Sequence, residues 1–303
     1  MKRLCNLLCF LLAVLLLTSC TPAADSGKGD LRFTDSTGHE VVLPKAPERV
    51  AVLLSSFAEI WQLAGGEIAV TVGESIERGI CKEGVTLVDE GAGKSINTEV
   101  LIASAPDLVI LSADIPAQLE AAALCREAGI PVAEMRVECF TEYLTMLKIC
   151  TDLTGRADLY AQHGTAQAAQ IEALIATKPL DGSKILFVRA GTSARSVKPK
   201  SSADHFAAAM LKELGAANIA DGTPLLADGL SMEYILAEDP DYIYFTSMGD
   251  EQASRAFVTE MLKEPEWQAL SAVQSGNYIF LPKEAFHYKP NANWANAYNY
   301  LCN

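Results

Sequence analysis

The feature that most constrains the fold is an alternation of short apolar runs with helical segments, which stops near Phe140 and restarts after Pro179. Apolar runs such as RVAVLLSS, which starts at Arg49, are typical of strands buried on both faces of a parallel sheet. Strands that alternate with helices indicate a parallel sheet with right-handed crossover connections. The sequence therefore predicts two α/β lobes, one on each side of the interruption.

The interruption contains no strand signal and is predicted to be helical. Gly155 separates two helical runs, and Pro179 follows the second run. The second run has about 20 residues, so as a helix it would span about 30 Å, the width of a small lobe. We therefore predict Rossmann-like lobes at 31–140 and 179–303, joined by a helical connector at 141–178.

One phrase occurs in both predicted lobes. INTEVLIASAPDLVIL begins at Ile96, and LSMEYILAEDPDYIYF begins at Leu230. Each contains a Glu, a short helical segment, Pro-Asp and an apolar run, and each falls at the same place in its lobe. The repetition predicts a duplicated helix–Pro-Asp–strand unit.

The N-terminal residues predict where in the cell the protein is located. Lys2 and Arg3 precede an apolar run that is too short for a membrane span and is typical of a secretory signal. Leu-Thr-Ser-Cys, which ends at Cys20, resembles the lipobox of bacterial lipoproteins. This resemblance implies that residues 1–19 are removed, that Cys20 is lipidated, and that residues 20–30 form a flexible tether. An ordinary signal peptide cleaved nearby is the alternative.

Charge and cysteine content exclude some classes of protein. The formal net charge of −14 argues against a nucleic-acid partner. The mature chain retains Cys81, Cys125, Cys139, Cys150 and Cys302, an odd number without metal-type spacing. Buried free thiols are the favoured interpretation, and disulfides are the alternative.

Several stretches together resemble a known family. They are LPKAPERVAVL, LKELGAANIADG, YKPNANWANAYNYL and the two repeated phrases. In order and spacing they resemble the helical-backbone substrate-binding proteins of ABC importers, which capture ferric siderophores, haem or cobalamin. The resemblance covers about Phe33 to Leu301.

The resemblance implies two Rossmann-like lobes joined by a long connector helix, with the ligand in the cleft between them. It also implies a monomer without a cofactor or enzymatic activity, which delivers its ligand to a permease and its ATPase at the bacterial cell membrane. The family's last helix usually runs a few turns beyond the one that NWANAYNYLCN can form, and a truncated C-terminus is one explanation of this difference.

Loops that leave the predicted strands are the candidate ligand contacts, because ligands of parallel α/β sheets bind beyond the carboxyl ends of the strands. The candidate ligand-binding residues are Ser56, Phe57, Arg78, Met135, Arg136, Arg189, Arg195, His287 and Tyr288. The basic loop RAGTSARSVKPKSS, in an otherwise acidic protein, suits a ligand with carboxylates or catecholates. A solvated basic loop is the alternative interpretation. A ferric siderophore is therefore the expected ligand, with haem or cobalamin as alternatives.

Three further patterns bear on function. His287 and Tyr288 are residue types that ligate haem iron, but packing and hydrogen bonding are the favoured roles. EGAGKS resembles half of a phosphate-binding loop, yet Val88 stands where that motif requires Gly. The four scattered histidines predict no metal site, and hydrolase motifs are absent. A cell-surface enzyme or an adhesion or signalling lipoprotein remains the alternative of another class.

Glu99 and Glu233 occupy the same position in the two repeated phrases. The resemblance implies that each docks on one subunit of the permease. The alternative is that both carboxylates only stabilise the helix N-termini.

Overall fold

The computed structural model describes residues 30–177, 179–227 and 229–302. The predicted signal peptide and Cys20 lie outside these residues. Within them, no helix combines the length and the apolar composition that a membrane span requires.

The chain alternates between strands and helices. The strands are β1 (Leu31–Thr34), β2 (Glu40–Leu43), β3 (Val50–Val52), β4 (Ile68–Val72), β5 (Thr86–Asp89), β6 (Leu108–Ser112), β7 (Val132–Met135), β8 (Lys184–Ala190), β9 (Lys198–Pro199), β10 (Ala217–Asn218), β11 (Tyr242–Ser247) and β12 (Tyr278–Phe280). The helices are α1 (Ser55–Leu63), α2 (Gly73–Glu77), α3 (Thr98–Ala103), α4 (Pro116–Glu127), α5 (Phe140–Thr154), α6 (Ala157–Tyr160), α7 (Ala166–Thr177), α8 (Phe206–Glu213), α9 (Met232–Glu238), α10 (Glu251–Met261), α11 (Pro265–Gln268), α12 (Ser271–Gln274), α13 (Lys283–Phe286) and α14 (Trp294–Leu301).

The strands form two separate sheets and one hairpin. The first sheet is parallel and has the order β5-β4-β3-β6-β7. The second has the parallel order β10-β8-β11-β12, and β9 pairs with the end of β8 in the antiparallel sense. β1 and β2 pair as a hairpin. The predicted two-lobed α/β fold is confirmed.

The segment between the sheets is helical. α5 ends at Gly155, whose φ of 72° is readily adopted by glycine. After a turn at Arg156, one continuous helical run extends through α6, a π-helical turn at Ala161–Thr165, and α7. α14 packs against α7, so the end of the chain returns to this connector.

The two lobes share one hydrophobic core. A single cluster of buried side chains includes the face of each sheet that lies toward the connector, together with residues of α5, α7 and α14. The fully buried Trp294 lies at the centre of this cluster. Its ring contacts those of Phe140, Tyr143 and Phe206 at centroid distances of 5.9, 6.2 and 5.7 Å. Since these rings come from the connector and from the second lobe, packing at Trp294 restricts movement between the lobes.

The repeated phrase forms the same structure twice. α3 and α9 both end at a non-glycine residue with positive φ, 44° at Ala105 and 40° at Asp239. A proline follows each of them and prevents the helix from continuing. The chain then turns directly into the next central strand, β6 or β11.

The Asp of each Pro-Asp pair clamps the neighbouring strand. Asp107 accepts hydrogen bonds from the N–H groups of Glu48 and Arg49 at 2.8 and 3.0 Å, and its own N–H donates to the carbonyl of Arg49. Asp241 accepts from Lys184 N–H at 2.8 Å and donates to the Lys184 carbonyl at the same distance. Both carboxylates therefore fix the entry of the central strand beside them.

Candidate functional site

The first lobe contributes the start of α1, which follows β3 after a two-residue link. Sequence analysis predicts a loop here, but Ser55, Ser56 and Phe57 form the first helical turn and are buried. The hydroxyl of Ser55 donates to the carboxylate of Glu74, at the start of α2. Phe57 is 3% exposed and packs in the shared core, so it presents no surface to a ligand.

Arg78, directly after α2, connects the lobes. Its Nη1 lies 2.9 Å from Ser55 Oγ and 3.4 Å from Ser56 Oγ, and its Nη2 donates to Glu59 Oε2 at 3.2 Å. The guanidinium also lies 4.2 Å from the ring centroid of Tyr288, in the second lobe. The structure thus brings together three of the predicted residues, Ser56, Arg78 and Tyr288.

Two further contacts cross between the lobes close by. The buried Asn291 donates through Nδ2 to Ser56 O at 3.0 Å and to Glu59 Oε2 at 2.9 Å. Lys289 Nζ forms an ion pair with Glu138 Oε2 at 2.7 Å. Glu138 follows β7 in the first lobe, so this ion pair spans the cleft.

The second lobe contributes a group of cations. Arg189 lies near the end of β8, Lys283 in α13, and Lys200 and Lys289 in loops. Burial and the charges of Lys289, Arg189, His287 and Lys200 lower the pKa of His205 to about 3. Burial is the main reason that the imidazole stays neutral, and the nearby cations act in the same direction; their field also favours an anion.

His287 lies in the same field. Burial, Lys283, Arg189 and Lys94 lower its pKa, while the carboxylate of Glu74 acts in the opposite direction. The His287 and Tyr288 rings meet edge to face at 5.1 Å. Because Lys94 and Glu74 belong to the first lobe, these interactions place the two lobes opposite each other around His287.

The two arginines of the basic loop differ in their surroundings. Arg189 Nε is buried and donates to no protein group in the described residues. Arg195 is exposed in a short 3₁₀ turn at Ala194–Ser196 and pairs with no carboxylate in the part of the chain that the structure describes. Arg189 is thus partly enclosed by the protein, while Arg195 is exposed.

Two residues that were predicted to contact the ligand have other surroundings: Met135 is buried, and Arg136 pairs with a carboxylate. Met135 is 2% exposed and packs in the shared core, because alternate residues of β7 face the connector and this side chain is one of them. Arg136 is exposed, and its guanidinium pairs with Asp114 through Nε and Nη2 at 2.9 and 2.7 Å. We therefore drop Met135 and Phe57 from the candidate ligand contacts.

The loop that resembles a phosphate-binding motif contains its own anion. The Asp89 carboxylate accepts hydrogen bonds from the backbone N–H groups of Gly91, Gly93 and Lys94 at 2.7–3.0 Å. These interactions lower the pKa of Asp89 against the opposing effect of its burial. The charge of Lys94 in this loop also contributes, after burial and the other charges, to the lowered pKa of His287.

The site includes residues that sequence analysis missed. They are Glu59, Lys94, His205, Lys283, Lys289 and Asn291. The high content of Lys, His and Asn in KEAFHYKPN, which begins at Lys283, could have indicated Lys283, Lys289 and Asn291. Glu59 had no such signal, because its helix reads as an ordinary amphipathic segment.

The described residues contain neither a cluster of metal-ligating side chains nor a disulfide. No group of three or more His, Cys, Asp or Glu residues is placed to hold a metal ion within the described residues. All five mature cysteines are free thiols, as the sequence favoured, but only Cys81, Cys125 and Cys150 are buried, while Cys139 and Cys302 are half-buried.

Comparison with known proteins agrees with this architecture. A family model described as periplasmic binding protein matches residues 50–285, well over half of the chain. The chain belongs to the periplasmic binding protein family. The family predicted from the sequence is therefore confirmed, and its members are binding proteins of transport systems. A search of curated protein sequences finds no match.

Solved structures of periplasmic binding proteins have the same fold. The siderophore-binding protein BauB, solved with two acinetobactin molecules and ferric iron, is 15% identical and has a TM-score of 0.72, with 90% of this chain and 97% of that chain covered. The catecholate-siderophore binding protein VctP of Vibrio cholerae is 12% identical, with a TM-score of 0.70 and coverages of 90% and 98%. The vitamin B12 binding protein BtuF of Vibrio cholerae is 18% identical, with a TM-score of 0.69 and coverages of 86% and 96%.

Proposed function

We propose that this protein captures an anionic ferric siderophore outside the cytoplasm and delivers it to the permease and ATPase of an ABC importer. The supporting observation is the group of cations at the cleft, formed by Arg189, Lys200, Lys283, Lys289 and Lys94. It lies in a protein whose formal net charge is −14. A local positive field in an acidic protein favours a ligand that presents several negative oxygens.

Arg189 is the central residue of this proposal. Its Nε is buried, and the positive charge lowers the pKa of both His205 and His287. A bidentate contact from the Arg189 guanidinium to carboxylate or catecholate oxygens of the ligand would give Nε the hydrogen-bond acceptor that it lacks in the protein. Arg195, Ser56 and Tyr288 lie around the same cleft as candidate contacts, and Arg78 holds Tyr288 in position.

Haem and cobalamin are the alternative ligands. His287 and Tyr288 lie side by side, and burial together with nearby cations keeps His287 a neutral imidazole, the form that ligates iron. The cations favour the siderophore, because Glu138 compensates only Lys289, and cobalamin would leave the charges of the other members of the group uncompensated.

Binding is tested by titrating the purified protein with a ferric tris-catecholate, a ferric tris-hydroxamate, ferric citrate, haem and cyanocobalamin. Tryptophan fluorescence is a suitable signal, since Trp294 lies at the junction of the lobes. We expect a ferric chelate to bind most tightly. Tighter binding of haem or cyanocobalamin would replace the siderophore assignment, and binding of none would overturn the proposed function.

Arg189→Ala should weaken binding of the preferred chelate about ten- to a hundredfold, since a charge-assisted contact contributes about 1.5–3 kcal/mol. Arg195→Ala should weaken it less, because its charge is exposed and screened. Arg32→Ala, in the exposed N-terminal hairpin, is the matched control. Unchanged affinity in both loop variants would show that the basic loop is only a solvated surface.

We further propose lobes at 31–140 and 179–303 with the connector at 141–178, and a monomer anchored to the membrane only by a lipid on Cys20. Incorporation of labelled palmitate into the wild type and its loss in Cys20→Ala would support the anchor. Secretion of the wild type without lipid would favour the ordinary signal peptide.

Docking on the permease is assigned to Glu99 and Glu233. Both are exposed, both lie in the first turn of their helices, and neither forms an ion pair with any described residue. A crossover helix begins at the edge of a parallel sheet where the strands end, so both carboxylates lie on the cleft side of their lobes. Two equivalent acidic contacts suit a permease with two related subunits.

A further inference from the structure

His205 caps the first helix of the second lobe. It directly precedes α8, and its Nδ1 accepts a hydrogen bond from the N–H of Ala207 at 3.2 Å. A ring nitrogen that accepts a hydrogen bond carries no proton, so the proton of the neutral imidazole is on Nε2. The backbone of the helix therefore determines the tautomer of this histidine.

The His205 ring is also held in a fixed orientation. Its centroid lies 4.7 Å from that of Phe187 and 5.0 Å from that of Phe206. In the described residues, no protein group accepts a hydrogen bond from Nε2. The ring is thus an oriented donor whose N–H is unused by the protein.

The Phe206 ring connects His205 to the cleft, because Lys289 Nζ, which pairs with Glu138 of the first lobe, lies 4.7 Å from the centroid of that ring. Burial and the charges of Lys289, Arg189, His287 and Lys200 lower its pKa to about 3, so the ring is uncharged at neutral pH. Arg189 comes from the end of β8 and His287 from the end of α13, the elements that form the wall of the second lobe. An anion attracted by these cations would lie beside the His205 ring.

We propose that His205 is a ligand-recognition residue that donates its Nε2–H to an anionic oxygen of the bound molecule. This inference rests on the proposed function and adds a specific donor to it. While Nδ1 caps α8, Nε2 carries the proton and has no free lone pair, so it cannot coordinate a metal ion. His205 therefore recognises the oxygen shell of a chelate rather than its iron, and does so without adding another charge to an already cationic site.

Two variants separate this role from the structural ones. His205→Ser keeps a side-chain cap for α8 but has no ring and no Nε2–H. His205→Phe keeps an aromatic ring between Phe187 and Phe206 but has neither the cap nor the donor. The donor is the one property that both variants lack. His39→Ser, in the exposed N-terminal hairpin, is the control for loss of an imidazole.

The measurement is the affinity of each full-length mature variant for the ferric chelate that the wild type prefers, with thermal unfolding recorded beside it. Both His205 variants should bind about tenfold more weakly, the usual effect of losing one hydrogen bond to a charged group, and His39→Ser should bind normally. Wild-type affinity in His205→Ser would assign the position to capping, and wild-type affinity in His205→Phe would assign it to ring packing. Either result overturns the inference and leaves the proposed function intact, whereas a wild type that binds no chelate overturns both.

Discussion

At the scale of the residue, neighbouring groups decide which of several similar side chains is available to a ligand. Arg78 and Arg136 both follow elements of the first lobe, and each is paired with a carboxylate, Glu59 or Asp114. Arg189 has no such partner among the described residues, and its Nε is buried. A buried N–H donor without an acceptor is costly, so the half-buried Arg189 is the residue whose environment an anionic ligand would improve most.

The lowered pKa of His205 predicts a pH dependence of stability. The ordinary value is 6.5 and the folded value is about 3, so between these values the unfolded chain binds a proton that the folded chain does not. The free energy of unfolding should therefore fall as pH falls below 6.5, by up to about 1.4 kcal/mol per pH unit. Urea unfolding at pH 7, 6 and 5 measures this slope.

His205→Ser should remove that part of the slope, because it keeps the helix cap and has no titratable group. Equal slopes in the wild type and His205→Ser would mean that the folded protein does not hold His205 neutral. The range stays above pH 5 so that Asp35 and Asp89, whose pKa values are lowered, remain ionised in both states.

At the scale of the element, the repeated phrase has a mechanical explanation that is independent of permease docking. Each copy ends a short helix at a residue with positive φ and uses the Asp of Pro-Asp to hold the start of the adjacent central strand. A parallel strand has unpaired N–H groups where it begins, and a carboxylate from the neighbouring connection satisfies them. Each lobe has one central strand whose first N–H groups are bound in this way, so the need for an acceptor at that place explains why Pro-Asp occurs twice.

The two clamps should differ in their response to substitution. Asp107 uses both carboxylate oxygens, whereas Asp241 uses only Oδ2. Asp107→Ala should lower the free energy of unfolding by about 1–2 kcal/mol and Asp107→Asn by roughly half as much, since each backbone hydrogen bond contributes about 1 kcal/mol. Asp241→Asn, which keeps one acceptor oxygen, should be nearly neutral.

Urea unfolding tests these values, and Asp152→Ala is the control. Asp152 forms an exposed pair with Lys148 on the connector, and the loss of such a pair costs about 0.5 kcal/mol or less. If Asp107→Ala is as mild as Asp152→Ala, the clamp contributes nothing beyond a surface charge, and the repetition of Pro-Asp needs another explanation.

At the scale of the whole molecule, the lobes are joined by more than the connector. They share a core at Trp294, and the pairs Arg78–Tyr288, Asn291–Glu59 and Lys289–Glu138 connect them at the cleft. Relative movement of the lobes would disrupt packed rings and buried hydrogen bonds together. Ligand capture should therefore involve small adjustments of a preformed cleft.

A nearly rigid molecule presents Glu99 and Glu233 at a fixed separation. Docking of these two residues on the permease can therefore be tested by charge reversal. The double variant Glu99→Lys, Glu233→Lys should abolish uptake of the ligand by cells and leave its affinity in solution unchanged, because both residues are exposed and outside the cation group. Uptake by a strain that depends on this protein, together with fluorescence titration, gives both values.

The matched control is Glu127→Lys with Glu172→Lys, which makes the same change in charge at exposed positions of α4 and α7. It should support normal uptake. Normal uptake by the Glu99 and Glu233 variant would instead leave these carboxylates with the role of stabilising helix N-termini. Loss of uptake in both double variants would point to net charge rather than to docking.

The sequence by itself determined the two-lobed α/β fold, the helical region between the sheets and the family, because these depend on local hydrophobic periodicity and on the order of short motifs. It placed Arg189 at the end of a strand, since that rule depends only on where a strand stops, whereas His287 and Tyr288 follow α13 rather than a strand. Only the tertiary structure decided that Met135 faces the core, because a strand residue faces one side or the other according to its register. It alone joined Asn291 to Ser56, 235 positions apart, and brought Lys289 and Arg189 around His205. Such contacts form when distant segments of the chain pack in one core. No local sequence pattern indicates which polar side chains will then be in contact.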